Sequence, residues 1–322
     1  GSSETAALFR SWRPDLNLVA ETSGKNALVV PPAADPDLAV ADLVRSAFGH
    51  AGQKCSAASL AILVGTAATG SATGRRLRRQ LVDAVTTLRV GPGTDLATTM
   101  GPLIEAPSAK LHRALTTLEP GERWLVRPRR VSETVWTPGV RAWVSPGSWF
   151  HRTECFGPVL GLMAARDLDE AIAWQNDTGF GLTGGIHSLD SDEIAHWLDR
   201  VEVGNAYVNR HITGAIVQRQ SFGGWKGSVL GPGAKPGGPN YVAQFGTWHD
   251  GDLPGPGPTS GPAADRVLAA AADLDPAARD RLARAAASDA RAWGTEFGIE
   301  HDPTGLAAES NVFRYRPAPS AT

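Results

Sequence analysis

The sequence contains little cysteine, little net charge and no long apolar run. Its two cysteines, Cys55 and Cys155, lie too far apart to form a zinc motif or a disulfide framework, so we expect no metal site and a reduced, cytoplasmic setting. The formal net charge of −2 excludes the basic surface that is typical of nucleic-acid binding. No apolar stretch approaches the length that a membrane-spanning helix needs.

Strand-like and helical segments alternate along the chain as far as residue 209. The apolar, strand-like runs include residues 27–32, 59–65, 158–165 and 205–209, and the amphipathic helical segments include residues 35–52, 71–91, 167–176 and 190–201. This alternation predicts an α/β layered domain with a largely parallel sheet.

Two of the predicted helices have an apolar face at helical spacing. The residues expected to point inward are Leu38, Ala41, Val44 and Phe48 in the first helix, and Leu77, Leu81, Val82 and Val85 in the second. Asp35 or Asp37 is expected to cap the first helix. After Trp248 a segment rich in proline and glycine predicts a linker, and an Ala/Arg-rich helical stretch follows it.

Cys55 lies in the stretch FGHAGQKCSA, residues 48–57, just ahead of an apolar run. A nucleophilic cysteine needs access, thiolate character and hydrogen-bond donors for the oxyanion that forms. Gly52 and Ser56 provide an accessible loop with free backbone N–H groups, and Lys54 adds positive charge. From these residues alone, a loop or core cysteine without a chemical role is equally plausible.

Glu21 precedes Cys55 by 34 residues, in the stretch AETSGKNALVV. A carboxylate in a partly apolar site has a raised pKa and can activate water. On its own, Glu21 is more simply explained as a solvated or ion-paired residue.

The glutamate and the cysteine, in this order and at this spacing, resemble those of the aldehyde dehydrogenase superfamily. In that superfamily a glutamate in an E-[LT]-[GS]-G-K stretch precedes the catalytic cysteine of a G-Q-x-C loop. Three further segments agree in order: TECFGPVLG (153–161), NDTGFGLTGGIHS (176–188) and SFGGWKGS (221–228), the last with Ser221 in place of the usual proline. The resemblance favours the L-glutamate γ-semialdehyde (1-pyrroline-5-carboxylate) dehydrogenases, which also form part of bifunctional proline utilisation A.

The resemblance implies roles for individual residues. Cys55 would attack the aldehyde carbon, with its own backbone N–H as one oxyanion donor, and Glu21 would activate the water that hydrolyses the resulting thioester. The cofactor would be NAD, and the positions implied for it are Gly1, Ser2 and Thr5 in the GSSET turn, and Glu154 and Phe156 in the TECFG stretch. From GSSET alone, a simple helix N-cap by Ser2 or Ser3 is the more economical interpretation.

The implied substrate, L-glutamate γ-semialdehyde, has an aldehyde at one end and an amino acid at the other. By resemblance, the backbone N–H groups of Gly214 and Ala215 would hold its carboxylate, together with Ser56. Phe222 would contact its aliphatic stem. A plain turn is the alternative interpretation of Gly214.

The resemblance also divides the chain into segments. They are the end of an NAD-binding domain (1–22), a catalytic domain (23–237), a strand that would pair with a partner subunit in a homodimer (238–248), a linker (249–262) and a partial C-terminal region (263–322). Most of the dinucleotide domain and a second oxyanion donor would lie before residue 1, so we expect negligible NAD-dependent turnover from this chain alone. Two other functions stay open: a cofactor-independent thiol esterase, and a non-catalytic fragment of a larger protein.

Overall fold

The computed structural model describes residues 1–231, 233–249, 251–252, 254–258 and 261–317. The chain forms two compact units. The first comprises residues 1–214 and 222–236, and the second comprises residues 215–221 together with the chain from Gly237 onward.

The first unit contains alternating strands and helices. Its helices are α1 (Ser3–Trp12), α2 (Pro36–Phe48), α3 (Ala72–Thr86), α4 (Ala109–Thr116), α5 (Trp149–Arg152), α6 (Leu168–Asn176) and α7 (Ser191–Arg200). Its strands are β1 (Ala20–Glu21), β2 (Asn26–Val30), β3 (Ala58–Val64), β4 (Arg123–Val126), β5 (Gly139–Ala142), β6 (Val159–Ala165), β7 (Phe180–Gly181), β8 (Thr183–Ile186), β9 (Asn205–Val208), β10 (Trp225–Lys226) and β11 (Val229–Leu230).

Seven strands form a central sheet in the order β4-β5-β6-β3-β2-β8-β9. All neighbours are parallel except β4, which runs antiparallel to β5 at one edge. Every residue of β2 is buried, and so is every residue of β3 except Ser59, as expected for strands covered on both faces. The predicted α/β fold with a largely parallel sheet is therefore confirmed.

The predicted inward face of helix α2 is wrong at Leu38, Ala41 and Val44 and right at Phe48, and the predicted N-cap is confirmed. Asp35 accepts hydrogen bonds from the backbone N–H groups of Asp37 and Leu38, at 2.9 and 3.3 Å. Leu38 is nevertheless 40% exposed, Ala41 is exposed and Val44 is only half-buried. The buried residues are Ala39, Val40, Leu43, Ser46, Ala47 and Phe48. The contact face is thus turned by about one residue, or roughly 100°.

Helix α3 follows its prediction more closely. Leu77, Leu81 and Val85 are buried, and Val82 is half-buried. The polar remainder of this helix faces outward, as an amphipathic surface helix requires.

The second unit is mainly helical. It contains α8 (Gly261–Ala270), α9 (Pro276–Ala292), a π-helical turn (Trp293–Phe297) and a 3₁₀ turn (Val242–Phe245). Of the linker predicted at 249–262, residues 250, 253, 259 and 260 lie outside the described residues, as do residues 318–322 of the predicted C-terminal region.

The strand predicted at 238–248 is a turn in this structure. The N–H of Tyr241 donates to the carbonyl of Gly238 at 3.3 Å, and the N–H of Gly246 donates to that of Ala243 at 3.1 Å. A strand needs a neighbouring backbone for its hydrogen bonds, whereas these local turns satisfy the backbone within the segment. Pairing of this segment with a partner subunit stays a prediction.

Candidate active site

Cys55 lies on a tight loop between helix α2 and strand β3. Gly52, three residues before it, has a φ of +67°, and a Cβ atom there would come within 2.3 Å of the carbonyl oxygen of Gly157. Only glycine fits this position. The chain therefore passes close to the segment that carries Glu154 before it reaches the cysteine.

Two buried side chains hold the backbone of the Cys55 loop. The Nδ2 of Asn26 donates to the carbonyl oxygens of Cys55 and Ala57, at 2.7 and 2.9 Å. The Oγ1 of Thr183 donates to the carbonyl of Ser56 at 3.3 Å, and the N–H of Thr183 donates to the Oδ1 of Asn26 at 3.0 Å. All three carbonyls of residues 55–57 are thus tied to strands β2 and β8.

The thiol of Cys55 is accessible but lies in an environment that disfavours its charge. The residue is exposed, yet desolvation of the sulfur raises its pKa, and the negative charges of Glu21 and Glu154 add to this effect. Hydrogen bonds from the backbone N–H groups of Ser56 and Cys55 act in the opposite direction. The same N–H groups are suitable donors for an oxyanion formed beside the sulfur.

Glu21 is a candidate base whose charge acts on this thiol. Strand β1 pairs with β11, and the two strands place its carboxylate against the backbone of Gly223 and Gly224. Burial raises the pKa of Glu21, whereas the Gly224 N–H and the charge of Lys235 act to lower it. Its Oε2 is buried and has no hydrogen-bond partner among the described residues. The structure therefore brings Glu21 and Cys55 within electrostatic reach of each other.

The SFGGWKGS segment is tied directly to the segment that carries Glu21. The Oγ of Ser228 donates to the carbonyl of Ser23 at 2.6 Å and accepts from the N–H of Gly181 at 3.1 Å. The Oγ1 of Thr22 donates to the carbonyl of Gly227. These bonds give a physical reason for the occurrence of the two motifs in one sequence.

Lys25 was not among the predicted site residues, although it lies in the same TSGKN stretch as Gly24, four residues after Glu21. It is 3% exposed, its Nζ lies 4.0 Å from the ring centroid of Phe150, and no described residue accepts a hydrogen bond from it. Burial lowers its pKa to about 8; the charge of Arg141 adds to this effect, while Cys155 and Glu154 oppose it. The charged form of Lys25 is therefore less stable in the fold than in water, which lowers the free energy of unfolding.

Glu154 and Phe156 lie beside a small cleft that opens next to the Cys55 loop. Gly24, Lys54, Ser59 and Cys155 also line the cleft. The Oε1 of Glu154 accepts a hydrogen bond from the N–H of Gly24 at 2.8 Å, and its Oε2 has no partner among the described residues. Phe156 is 40% exposed. A free carboxylate oxygen next to an exposed ring suits the ribose and nicotinamide end of a dinucleotide.

The GSSET turn forms a helix N-cap. The Oγ of Ser2 accepts from the N–H of Thr5 at 3.2 Å and lies 3.1 Å from its Oγ1, so Ser2 caps helix α1. The nitrogen of Gly1 donates to the carbonyl of Glu21 at 3.0 Å. The structure therefore shows the cap, and contact of Gly1, Ser2 and Thr5 with NAD stays a prediction.

The four predicted substrate residues belong to both units. Ser56 is buried, and Phe222 is half-buried, with its N–H bonded to the carbonyl of Pro236 at 3.1 Å. Gly214 ends the first stretch of the first unit with a φ of +76°, and Ala215 begins the second unit. Their contact with a substrate stays a prediction.

The aldehyde dehydrogenase family model matches residues 10–250, which is most of the chain. The chain belongs to the aldehyde dehydrogenase family. Its relatives within that family include the 1-pyrroline-5-carboxylate dehydrogenase of Geobacillus thermodenitrificans, which is 36% identical over 230 residues; the match covers 70% of this chain and 43% of the relative. The chain thus spans less than half the length of this relative.

Solved structures agree with this assignment to the family. Proline utilization A from Corynebacterium freiburgense is 62% identical to the chain with a TM-score of 0.88, covering 99% of this chain and 32% of its own. A Thermus 1-pyrroline-5-carboxylate dehydrogenase with bound NAD is 32% identical with a TM-score of 0.65, covering 76% of this chain and 48% of its own. The predicted resemblance is therefore confirmed.

In the part of the chain that the structure describes, no helix is long and apolar enough to cross a bilayer. The same residues contain no group of three or more His, Cys, Asp or Glu side chains that could hold a metal ion.

Proposed function

We propose that this chain provides the catalytic cysteine and base of an NAD-dependent dehydrogenase that oxidises L-glutamate γ-semialdehyde to L-glutamate. The observation that carries the proposal is the pairing of Cys55 with Glu21. An exposed thiol on a fixed loop lies within electrostatic reach of a carboxylate whose Oε2 has no partner among the described residues. Aldehyde oxidation needs such a nucleophile first and such a base afterwards.

In the first step, the thiol of Cys55 releases its proton to solvent and the thiolate sulfur forms a bond to the aldehyde carbon. The carbon–oxygen π bond breaks, and the carbonyl oxygen becomes an oxyanion. The backbone N–H of Cys55 stabilises this oxyanion, on a loop whose carbonyls at residues 55–57 are fixed by Asn26 and Thr183. NAD, when bound, supplies the acceptor for the hydride that leaves the same carbon. The product attached to Cys55 is then a thioester.

In the second step, Glu21 takes a proton from a water molecule. The water oxygen bonds to the acyl carbon, the carbon–sulfur bond breaks, and Cys55 leaves as a thiolate while the carboxylic acid is released. Burial raises the pKa of Glu21, which makes its carboxylate a stronger base than an exposed one.

Two groups of residues support the cofactor and substrate assignments. Glu154 and Phe156 fit the nicotinamide end of NAD, since a free carboxylate oxygen can accept from ribose hydroxyls and the ring can pack against the cofactor. For the substrate, we rely on Gly214 and Ala215 as the carboxylate anchor and on the relatives named for 1-pyrroline-5-carboxylate oxidation.

Protection of Cys55 from alkylation tests the proposed first step without need of the cofactor. Glutamate γ-semialdehyde should slow the reaction of Cys55 with iodoacetamide, because the reversible adduct occupies the sulfur. The same protection should be seen in Cys155→Ala, which keeps the proposed nucleophile. With NAD added, NADH absorbance from this chain alone should stay negligible, so the alkylation rate is the deciding measurement. Equal alkylation with and without the aldehyde, or NADH formation in Cys55→Ala, would contradict the proposal.

A thiol esterase is the second candidate, because deacylation by Glu21 requires no cofactor. Hydrolysis of p-nitrophenyl acetate in the absence of NAD should disappear in Cys55→Ala. In Glu21→Gln the acetyl group should accumulate on Cys55, as seen by mass spectrometry. If neither activity depends on Cys55, a non-catalytic role is favoured.

A further inference from the structure

The segment that begins at Ala215 folds into a compact turn within the second unit. Residues 215–221 belong to that unit by their contacts. The N–H groups of Arg219 and Gln220 both donate to the carbonyl of Ile216 at 3.0 Å. The Oε1 of Gln220 accepts in return from the N–H of Ile216 at 2.8 Å.

Two side chains from the end of the chain hold this turn. The Nη1 of Arg219 donates to the Oε1 of Glu309 at 2.9 Å, and the Nε2 of Gln220 donates to the Oδ1 of Asn311. The ion pair is partly exposed, with side-chain exposures of 41% and 35%, so its contribution is small. Asn311 is 8% exposed, and its bond to Gln220 is therefore the stronger of the two contacts.

Asn311 is itself fixed by its own segment. Asp302 accepts hydrogen bonds from the N–H of Asn311 at 2.8 Å, from the N–H of Thr304 at 3.1 Å and from the Oγ of Ser310 at 3.1 Å. The Nδ2 of Asn311 donates to the Oγ1 of Thr304 at 3.2 Å. A side chain held at this many points can position another.

Residues 301–313 form a closed loop around Asn311. His301 and Phe313 exchange two backbone hydrogen bonds, at 2.9 and 2.8 Å, which bring the ends of the loop together. The loop is therefore ordered by its own contacts, and the side chains of Asn311 and Glu309 extend from it to residues 215–221.

We propose that the loop 301–313 is a positioning element for the amino-acid end of the substrate. It holds residues 215–221 through Asn311 and Glu309, and this segment begins with Ala215, one of the two residues assigned to the substrate carboxylate. Fixing the backbone in advance removes the cost of ordering it on binding. The inference rests on the proposed function for its substrate, and on contacts within the second unit for its mechanism.

Amide hydrogen exchange of the full chain tests the contact itself. In Asn311→Ala, peptides covering residues 215–221 should exchange about threefold to tenfold faster than in wild type, since a buried hydrogen bond is lost. Glu300→Gln is the matched control, because it removes the 3.1 Å contact between Glu300 and Arg314. Equal exchange of residues 215–221 in wild type and Asn311→Ala would overturn the inference.

L-Glutamate, the proposed product, tests the link to substrate binding. Its affinity, measured by calorimetry, should fall about tenfold in Asn311→Ala, while the alkylation rate of Cys55 stays unchanged. Gln220→Ala combined with Asn311→Ala should lower the glutamate affinity by less than the sum of the two single changes, because both remove the contact between Gln220 and Asn311. Unchanged glutamate affinity in Asn311→Ala overturns the positioning role. If wild type binds no glutamate, the substrate assignment and the positioning role both fail, and hydrogen exchange still decides whether the loop holds the segment.

Discussion

The Cys55 loop and the segment 215–221 are both short irregular stretches, and they are held in different ways. The Cys55 loop is held through its backbone, by Asn26 and Thr183, which are 2% and 1% exposed. The segment 215–221 is held through its side chains, by partners at the end of the chain. Backbone support leaves the Cys55 side chain free for chemistry, whereas side-chain support engages Arg219 and Gln220.

The two units also differ in how much apolar surface they bury. The hydrophobic core of the first unit is built on strands β2, β3 and β6, whose residues are almost all buried. Among the described residues of the second unit, Ala287 is the one buried apolar residue, while Trp248 and Trp293 are 81% and 43% exposed. Burial of apolar area is the larger source of stability, so changes in the first unit should have larger effects.

The largest effect is expected when the support of the Cys55 loop is removed. Asn26→Ala eliminates three hydrogen bonds and leaves buried carbonyls unsatisfied, so the free energy of unfolding should fall by about 3 kcal/mol. Urea denaturation measures this change. Asn311→Ala, the matched change in the second unit, should cost about 1 kcal/mol; equal losses in the two variants would remove the difference that we describe.

A gain in stability is expected from Lys25→Met, which keeps the volume and removes the buried charge. At pH 7 the free energy of unfolding should rise by about 2 kcal/mol. The pKa of Lys25 is lowered to about 8 in the fold, so wild type carries the full cost below pH 8 and loses it as the pH rises toward the unfolded value near 10.4. The advantage of the variant should shrink over that range in thermal melts, and an advantage independent of pH would contradict this account.

A smaller effect is expected on the reactivity of Cys55. The charge of Glu21 helps to raise the pKa of Cys55, so Glu21→Gln should lower that pKa and speed alkylation at pH 8 about threefold. Glu133→Gln, which changes an exposed carboxylate, serves as the control. A slower reaction in Glu21→Gln would show that the carboxylate activates the thiol instead.

The smallest effect is expected at Asp302 in the second unit. Hydrogen bonds from Thr304, Asn311 and Ser310 lower the pKa of Asp302 to about 2. The stability it contributes is present above the unfolded value near 3.9 and is lost as the pH falls toward 2. Nuclear magnetic resonance should show faster exchange of residues 301–313 over this range in wild type, and little dependence on pH in Asp302→Asn.

Motifs predicted a reactive pair, whereas single polar residues inside apolar stretches did not indicate their roles. Cys55 and Glu21 are proposed as that pair because their flanking glycines and spacing resemble a family pattern. Asn26 opens an apolar strand and Lys25 precedes it, but the sequence alone does not show that one side chain folds back onto the Cys55 loop or that the other is enclosed. Such contacts depend on which strands become neighbours.

The same limit applies to the face of α2 and to the strand predicted at 238–248. The face of α2 depends on which neighbours the helix packs against, which the spacing of Leu38 and Val44 does not show. The strand predicted at 238–248 depends on pairing with a second chain, and local turns satisfy its backbone here. The spacing of apolar residues correctly predicted the buried residues Leu77, Leu81 and Val85 of α3, and the alternation of strands and helices correctly predicted the parallel sheet. In both, the apolar residues of the sequence are the ones that the fold buries.

The bonds from Asn26 and Thr183 to residues 55–57 bear on protein engineering. Transplanting the ten residues FGHAGQKCSA into another scaffold would carry the proposed nucleophile, Cys55, without the strands that hold its loop. A graft needs three separate stretches of chain: the Cys55 loop, the strand that begins with Asn26 and the strand that begins with Thr183. The host scaffold must already place two parallel strands in the register that these two side chains require. Grafts should therefore be chosen by sheet geometry first and by loop sequence second.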